Sequence, residues 1–152
     1  MRCVYLAVFL EPEYALHLKA WFAHAVMPLH ATHYSHHMTV MFKPTPEQIN
    51  AFPLKVNCTL KVTGFGADEF GQAVIVKPTC ALGLEISAPT PHITVACAEG
   101  TKPFYSNELI SRAHMSVING PTLGGWTGWW DGTNFRYDKW QGADVTQLKG
   151  RI

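Results

Sequence analysis

A four-residue pattern occurs twice in this chain, 55 positions apart. His37-Met38-Thr39-Val40 and His92-Ile93-Thr94-Val95 both have the order His, apolar, Thr, apolar. In an extended strand, successive side chains point to opposite faces. The His and Thr of each copy therefore share one face, while the two apolar residues turn toward a core. The pattern predicts two half-buried strands, each of which presents an imidazole beside a hydroxyl group.

If these two strands are neighbours, both imidazoles and both hydroxyls meet in one site. Histidine suits proton transfer in either direction because its unperturbed pKa of about 6.5 lies near neutral pH. Threonine hydroxyls donate hydrogen bonds to an anion. We expect acid and base catalysis by His37 and His92, and phosphate binding by Thr39 and Thr94. Such a site can cleave a phosphodiester without a metal, and the sequence leaves open which histidine is the base.

The doubled motif resembles the paired motifs of the 2H phosphoesterase superfamily. The flanks, His-His-Met-Thr-Val-Met-Phe at 36–42 and Pro-His-Ile-Thr-Val-Ala at 91–96, strengthen that resemblance. It implies an α+β fold in which two antiparallel sheets form a bilobal, pseudo-symmetric arrangement around a central cleft, with helices packed outside. We expect one such domain over residues 1–152.

The resemblance also implies a substrate class, namely nucleotide phosphodiesters next to a ribose 2′ or 3′ hydroxyl. This class includes RNA ends with 2′,3′-cyclic phosphate, 2′-5′ oligoadenylates, ADP-ribose cyclic phosphate and cyclic oligonucleotides. Viral and phage members of the superfamily degrade such immune signals. The short interval between the motifs favours a minimal cyclic phosphodiesterase or viral-type member over a full tRNA-processing enzyme.

One alternative is a non-catalytic module that sequesters a nucleotide, which would not need a matched acid and base. Another alternative is a cyclic phosphodiesterase for RNA-end repair. The sequence contains neither a Gly-x-Ser-x-Gly nucleophile motif nor a Gly-x-x-x-x-Gly-Lys-Ser/Thr phosphate loop.

Further substrate-binding candidates are aromatic residues, which stack on bases, and lysines close to the motif strands. The alternative role of each is core packing or a solvated charge. The candidates are Tyr5, Tyr34, Lys43, Lys102, Tyr105 and Trp129, with Trp126 and Trp130 as further aromatic positions.

A second cluster, His30, His33, His36 and His37, has spacings that would suit metal ligands on a helix. Pro28 and the strand-like residues downstream leave little room for a helix, so we expect no metal and no cofactor. By strand alternation, His36 should point away from His37.

Charge and composition limit the partners. The chain has 12 Lys and Arg against 11 Asp and Glu. This balance argues against duplex nucleic acid, whose binding needs many cationic contacts. We expect a small nucleotide, a cyclic oligonucleotide or an RNA 3′ end as partner, and a monomer as the assembly state.

The cysteines and the hydropathy pattern bear on location. No apolar run is long enough to span a bilayer, and the first residues do not resemble a signal peptide. Four cysteines without Cys-x-x-Cys spacing, Cys3, Cys58, Cys80 and Cys97, are expected to be buried free thiols. These features favour a cytoplasmic location, in the host cell if the protein is viral.

Periodicity and turn residues predict the order of the elements. We expect strands at 3–10, 36–42, 55–65, 73–76, 92–97 and 125–130, helices at 13–26, from Thr45 onward and at 106–114, and a hairpin at Asp131-Gly132 leading to 135–137.

Overall fold

The strands follow the alternation of apolar and polar residues, most regularly in the longest one, where every second side chain is buried. The computed structural model describes residues 1–80, 82, 86–112 and 115–142. Nine strands and three helices lie within these residues. They are β1 (Tyr5–Leu10), α1 (Pro12–Ala25), β2 (Thr32–His33), β3 (His37–Phe42), α2 (Pro46–Ala51), β4 (Asn57–Ala67), β5 (Gly71–Pro78), β6 (His92–Cys97), α3 (Tyr105–Arg112), β7 (Ser116–Val117), β8 (Thr122–Trp130) and β9 (Phe135–Arg136).

Six antiparallel strands close into a barrel. The hydrogen-bonded order is β4, β5, β6, β3, β1 and β8, and β8 pairs again with β4. The short strands β2, β7 and β9 extend this barrel at its margins. The α+β class is confirmed. The expected two-sheet, bilobal arrangement is not confirmed, because hydrogen bonds join the strands into a single sheet.

The motif strands β3 and β6 lie side by side in the barrel. Met38, Val40, Ile93 and Val95 are fully buried in the main apolar core, as the alternation predicts. Leu18 and Phe22 on α1 complete one side of this core. The core therefore fixes which face of each motif strand is left for the His and Thr side chains.

Local turn and capping signals agree with the sequence. Thr45 caps α2 through a reciprocal pair of hydrogen bonds with Gln48. At the β8–β9 hairpin, Gly132 has φ +103, and the Asp131 carboxylate accepts hydrogen bonds from two backbone N–H groups. The predicted end of α3 at His114 lies outside the described residues.

The prediction of four free cysteines is wrong for two of them. Cys58 on β4 and Cys80 just after β5 form a disulfide with a Cα–Cα distance of 5.2 Å. The pairing of Leu60 with Pro78 places these cysteines opposite each other, because each cysteine lies two residues beyond one member of that pair. Cys3 and Cys97 are free and buried, as expected.

The cytoplasmic location stays a prediction. The disulfide removes the support that four free thiols would have given it, since disulfides are more typical of oxidising compartments. Within the described part of the chain, no helix has both the length and the apolar character needed to cross a bilayer.

Candidate active site

The register of β3 and β6 brings the two motifs together. The strands are antiparallel and pair at Met38 and Ile93, the central apolar residues of the two motifs. His37 is therefore level with Thr94, and Thr39 is level with His92. The two histidines are diagonal neighbours, a relation that separates residues of adjacent strands by about 7 to 8 Å. One phosphate group fits between imidazoles so spaced.

The four motif side chains line one cleft of about 680 Å³. Tyr5 and Tyr34, both predicted as substrate-binding candidates, also line it. Most other lining residues are aromatic or small. They are Phe42, Ser87, Ala88, Pro89, Pro103, Phe104, Asn107 and Trp130, together with His36.

Of the further aromatic positions, Trp130 lines the cleft. The other predicted residues lie outside the described lining, namely Lys43, Lys102, Tyr105, Trp126 and Trp129. Trp129 is buried and donates its indole N–H to the Asp138 carbonyl at 2.7 Å, while the next residue of β8, Trp130, faces the cleft. The hydroxyl of Tyr105 donates to Asp68. Lys43, just after β3, has its ammonium 5.5 Å from the Phe42 ring, and Lys102 is exposed.

His37 contacts two other rings. Tyr5 stacks on it with centroids 4.9 Å apart, and the nearly parallel ring of His36 lies beside it with centroids 4.6 Å apart. Burial, together with the positive charges that His36 and His92 would carry, lowers the pKa of His37 to about 3. His37 is therefore neutral at physiological pH.

His92 is held by the backbone. Its Nδ1 forms a hydrogen bond of 2.8 Å with the Thr90 carbonyl, so Nδ1 carries the hydrogen. Burial lowers the pKa of His92, while the bond to the carbonyl favours the protonated ring and acts in the opposite direction. His92 thus offers Nε2 to the cleft and accepts a proton more readily than it would without this carbonyl.

The Thr94 hydroxyl is placed by residues around the start of α3. It donates to the Pro103 carbonyl at 3.2 Å and lies 2.7 Å from the hydroxyl of Ser106, which is buried. Gly71 on β5 allows α3 to approach this closely, because a Cβ there would lie 2.9 Å from the Tyr105 ring. The sequence placed Ser106 only at the start of the predicted helix over 106–114, so its contact with the motif was not foreseen.

The predicted orientation of His36 is wrong. Its ring lies on the same side as that of His37, and the two Nδ1 atoms are 2.6 Å apart. The alternation fails because Ser35, just before β3, has a left-handed backbone with φ 61. Ser35 is held there by hydrogen bonds to the Thr94 and Val95 carbonyls of β6.

The other histidines of the predicted metal cluster have separate surroundings. His33 is exposed on β2, and the Nε2 of His30 bonds to the Asp68 carbonyl at 2.7 Å. Among the described residues, no three His, Cys, Asp or Glu side chains are grouped so that they could hold a metal ion. None of the described residues that line the cleft is Lys, Arg, Asp or Glu.

The α+β fold and the two His-x-Thr motifs across one cleft define a protein of the 2H phosphoesterase class. The family model described as the fungal tRNA ligase phosphodiesterase domain matches residues 31–123, which include both motifs. Because the match covers more than half of the chain, the protein belongs to this family of cyclic phosphodiesterase domains, which are phosphodiester hydrolases. No individual curated protein matches the chain.

Proposed function

We propose that the protein cleaves a phosphodiester next to a ribose 2′ or 3′ hydroxyl, with His37 and His92 as the catalytic pair. The observation that carries this proposal is the pairing of β3 with β6 at Met38 and Ile93, which places both motifs on one face along one cleft. Membership in a family of phosphodiester hydrolases supports it.

The surroundings of the two histidines favour His37 as base and His92 as acid. The lowered pKa of His37 keeps this ring neutral, as a base must be, and His92 has a carbonyl that stabilises its protonated form. A bound phosphate is negatively charged, so it raises the pKa of both rings toward the range in which proton transfer is efficient. Because the two titrations are coupled, a bell-shaped pH profile belongs to the pair.

For a 2′,3′-cyclic phosphate, the step is hydrolysis. Nε2 of His37 takes a proton from a water molecule as its oxygen bonds to phosphorus. The bond from phosphorus to one ribose oxygen breaks, and Nε2–H of His92 gives that oxygen its proton. Exchange with solvent then returns both rings to their starting state. The histidines thus supply both proton transfers.

The threonines stabilise the charge that develops on the non-bridging oxygens. Thr39 and Thr94 lie level with the opposite histidines, so each can donate toward an oxygen of a phosphate held between them. When the Thr94 hydroxyl turns from the Pro103 carbonyl to the phosphate, the Ser106 hydroxyl can donate a hydrogen bond to the Thr94 oxygen. That bond strengthens the hydrogen bond from Thr94 to the phosphate.

Within the substrate class, the cleft favours a ligand with one phosphodiester and an aromatic base. The described lining offers no lysine or arginine to neutralise further phosphates, but several aromatic side chains on which a base can stack. A nucleoside 2′,3′-cyclic phosphate fits this description, alone or as the last nucleotide of an RNA whose other phosphates stay outside the cleft. The RNA end agrees with the tRNA ligase domain after which the family is named. Oligoadenylates, ADP-ribose cyclic phosphate and cyclic oligonucleotide immune signals carry more charge and are the competing substrates.

A substrate panel tests the proposal. Purified protein is incubated in the presence of EDTA with nucleoside 2′,3′-cyclic phosphates, an RNA with a cyclic phosphate end, 2′-5′ oligoadenylate and cyclic dinucleotides, and products are separated by chromatography. We expect cleavage of the cyclic phosphates and a loss of about 10²- to 10⁴-fold in turnover for His37→Asn and for His92→Asn. His33→Asn, which removes an exposed imidazole from β2, is the matched control and should retain activity.

Three outcomes would overturn parts of the proposal. Ligands that bind but return unchanged would indicate a sequestering module. Full turnover in both motif variants would remove the histidines from the mechanism. Preference for cyclic dinucleotides would shift the substrate to the immune signals.

A further inference from the structure

We propose that His36 is a positioning residue that holds His37 in the tautomer needed for a base, by accepting a hydrogen bond from its Nδ1–H. This inference rests on the proposed function, in which Nε2 of His37 takes a proton from the attacking water. It concerns a residue outside both His-x-Thr motifs.

The hydrogen bond between the two rings can run in either of two directions, and only one of these directions suits a base at His37. Their Nδ1 atoms are 2.6 Å apart, a distance at which one hydrogen is shared between them. If His36 donates, neutral His37 carries its own hydrogen on Nε2 and has no lone pair there for the water proton. If His37 donates, its Nε2 is free to accept. Catalysis by His37 as base therefore requires His36 to be the acceptor.

The second motif meets the same need in another way. The Nδ1–H of His92 is held by the Thr90 carbonyl, which can only accept. The residue before His92 is Pro91, which has no imidazole to accept a hydrogen bond. In the first motif, the left-handed conformation of Ser35 turns the His36 side chain to the corresponding nitrogen of His37. A side chain thus replaces a backbone carbonyl as the partner of the catalytic ring.

The rest of the His36 environment keeps its ring in place and neutral. Tyr34 contacts it edge to face at 6.1 Å, and Phe135 of β9 packs at 5.5 Å. The titratable and charged groups around it are His37, Tyr34 and, from α1, Lys19. Burial and the charge of Lys19 lower the pKa of His36.

A side-chain acceptor differs from a carbonyl in that it titrates. When His36 takes up a proton, it loses the lone pair that holds the Nδ1–H of His37. Activity should then decrease as the pH is lowered and His36 becomes protonated. This ionisation is separate from those of His37 and His92. The acid limb of the pH profile for kcat should therefore be steeper than one ionisation allows, and this steepness depends on His36.

Two substitutions distinguish the role of His36 as a hydrogen-bond acceptor from the role of its ring in packing. His36→Phe retains an aromatic ring against Tyr34 and Phe135 but has no nitrogen. His36→Asn loses the ring but offers a carbonyl oxygen that does not titrate. Steady-state kinetics with a nucleoside 2′,3′-cyclic phosphate are measured for both between about pH 5 and pH 9. Nitrogen-15 NMR of the imidazole rings identifies the tautomer of His37 in each protein.

We expect His36→Phe to lower kcat by about 10- to 100-fold, with little change in KM, and to give His37 a mixture of tautomers. His36→Asn should restore most of kcat, and its acid limb should be shallower than that of the wild type. Wild-type kcat in His36→Phe, or a wild-type His37 carrying its hydrogen on Nε2, would overturn the inference.

His37→Asn distinguishes this failure from a failure of the proposed function. If that variant is inactive while His36→Phe is fully active, only the role of His36 is refuted. If His37→Asn is itself fully active, the catalytic pair is refuted as well.

Discussion

Because His37 is buried as a neutral ring, we expect the free energy of unfolding to decrease in mild acid. The decrease should be smaller in His37→Asn. In the folded protein, the pKa of His37 falls from 6.5 to about 3. The unfolded chain binds a proton at this residue as the pH drops below 6.5, but the folded chain does not. Unfolding then takes up a proton, so the free energy of unfolding decreases as the pH falls through this range.

The size of the effect follows from the two pKa values. Between about pH 7 and pH 5, a site with pKa 6.5 unfolded and about 3 folded contributes about 2 kcal/mol to the loss of stability. The asparagine variant does not titrate there and lacks this contribution. Burial also lowers the pKa of His36 and His92, so the wild type loses more in total, in the same direction.

The assay is urea unfolding of both proteins at these two pH values, followed by tryptophan fluorescence. His17→Asn removes an exposed imidazole from α1 and should follow the wild type. Phosphate or another anion that binds between the imidazoles should reduce the acid loss of the wild type, because it favours the protonated rings. An equal loss of stability in the wild type and in His37→Asn would refute the idea that His37 is buried as a neutral base.

Three further predictions concern the surroundings of the site. Ser106→Ala removes the hydroxyl beside Thr94 and should lower kcat/KM by about fivefold, the equivalent of a hydrogen bond of about 1 kcal/mol, as measured by steady-state kinetics. Phe104→Ala removes an aromatic side chain that is 75% exposed at the cleft, and the KM of a nucleotide substrate should rise at least about fivefold. Cys80→Ser opens the bridge to Cys58, which spans 22 residues, and should lower the free energy of unfolding in urea by about 3 kcal/mol.

Each of these predictions has a matched control. Ser111→Ala removes an exposed hydroxyl from α3 and should leave kcat/KM unchanged. Phe70→Ala removes an exposed aromatic ring outside the described cleft lining and should leave KM unchanged. A reductant should destabilise the wild type but not Cys80→Ser. If Ser106→Ala or Phe104→Ala behaves like its control, the predicted role of that side chain is refuted. If reductant does not destabilise the wild type, the predicted role of the disulfide is refuted.

Much of the site could be predicted because it is encoded in short runs of consecutive residues. The His-x-Thr spacing assigns His37 and Thr39 to one face of a strand from four consecutive residues, and β6 begins and ends at the predicted positions. The disulfide could not be predicted, since Cys58 and Cys80 become opposite only through the register of β4 and β5. Ser106 was likewise missed, because its contact with Thr94 depends on how α3 packs.

The sequence by itself determined the α+β class, the two motif strands and which of their side chains turn away from the core, because strand periodicity is a property of neighbouring residues. Tertiary structure decided the register that joins Met38 to Ile93, the closure of the barrel through β4 and β8, and the orientation of His36. The physical reason is that strand pairing and packing of the shared core act between residues far apart in the chain. Ser35 illustrates this, since carbonyls of β6 accept the hydrogen bonds that hold its left-handed backbone and so turn His36 toward His37.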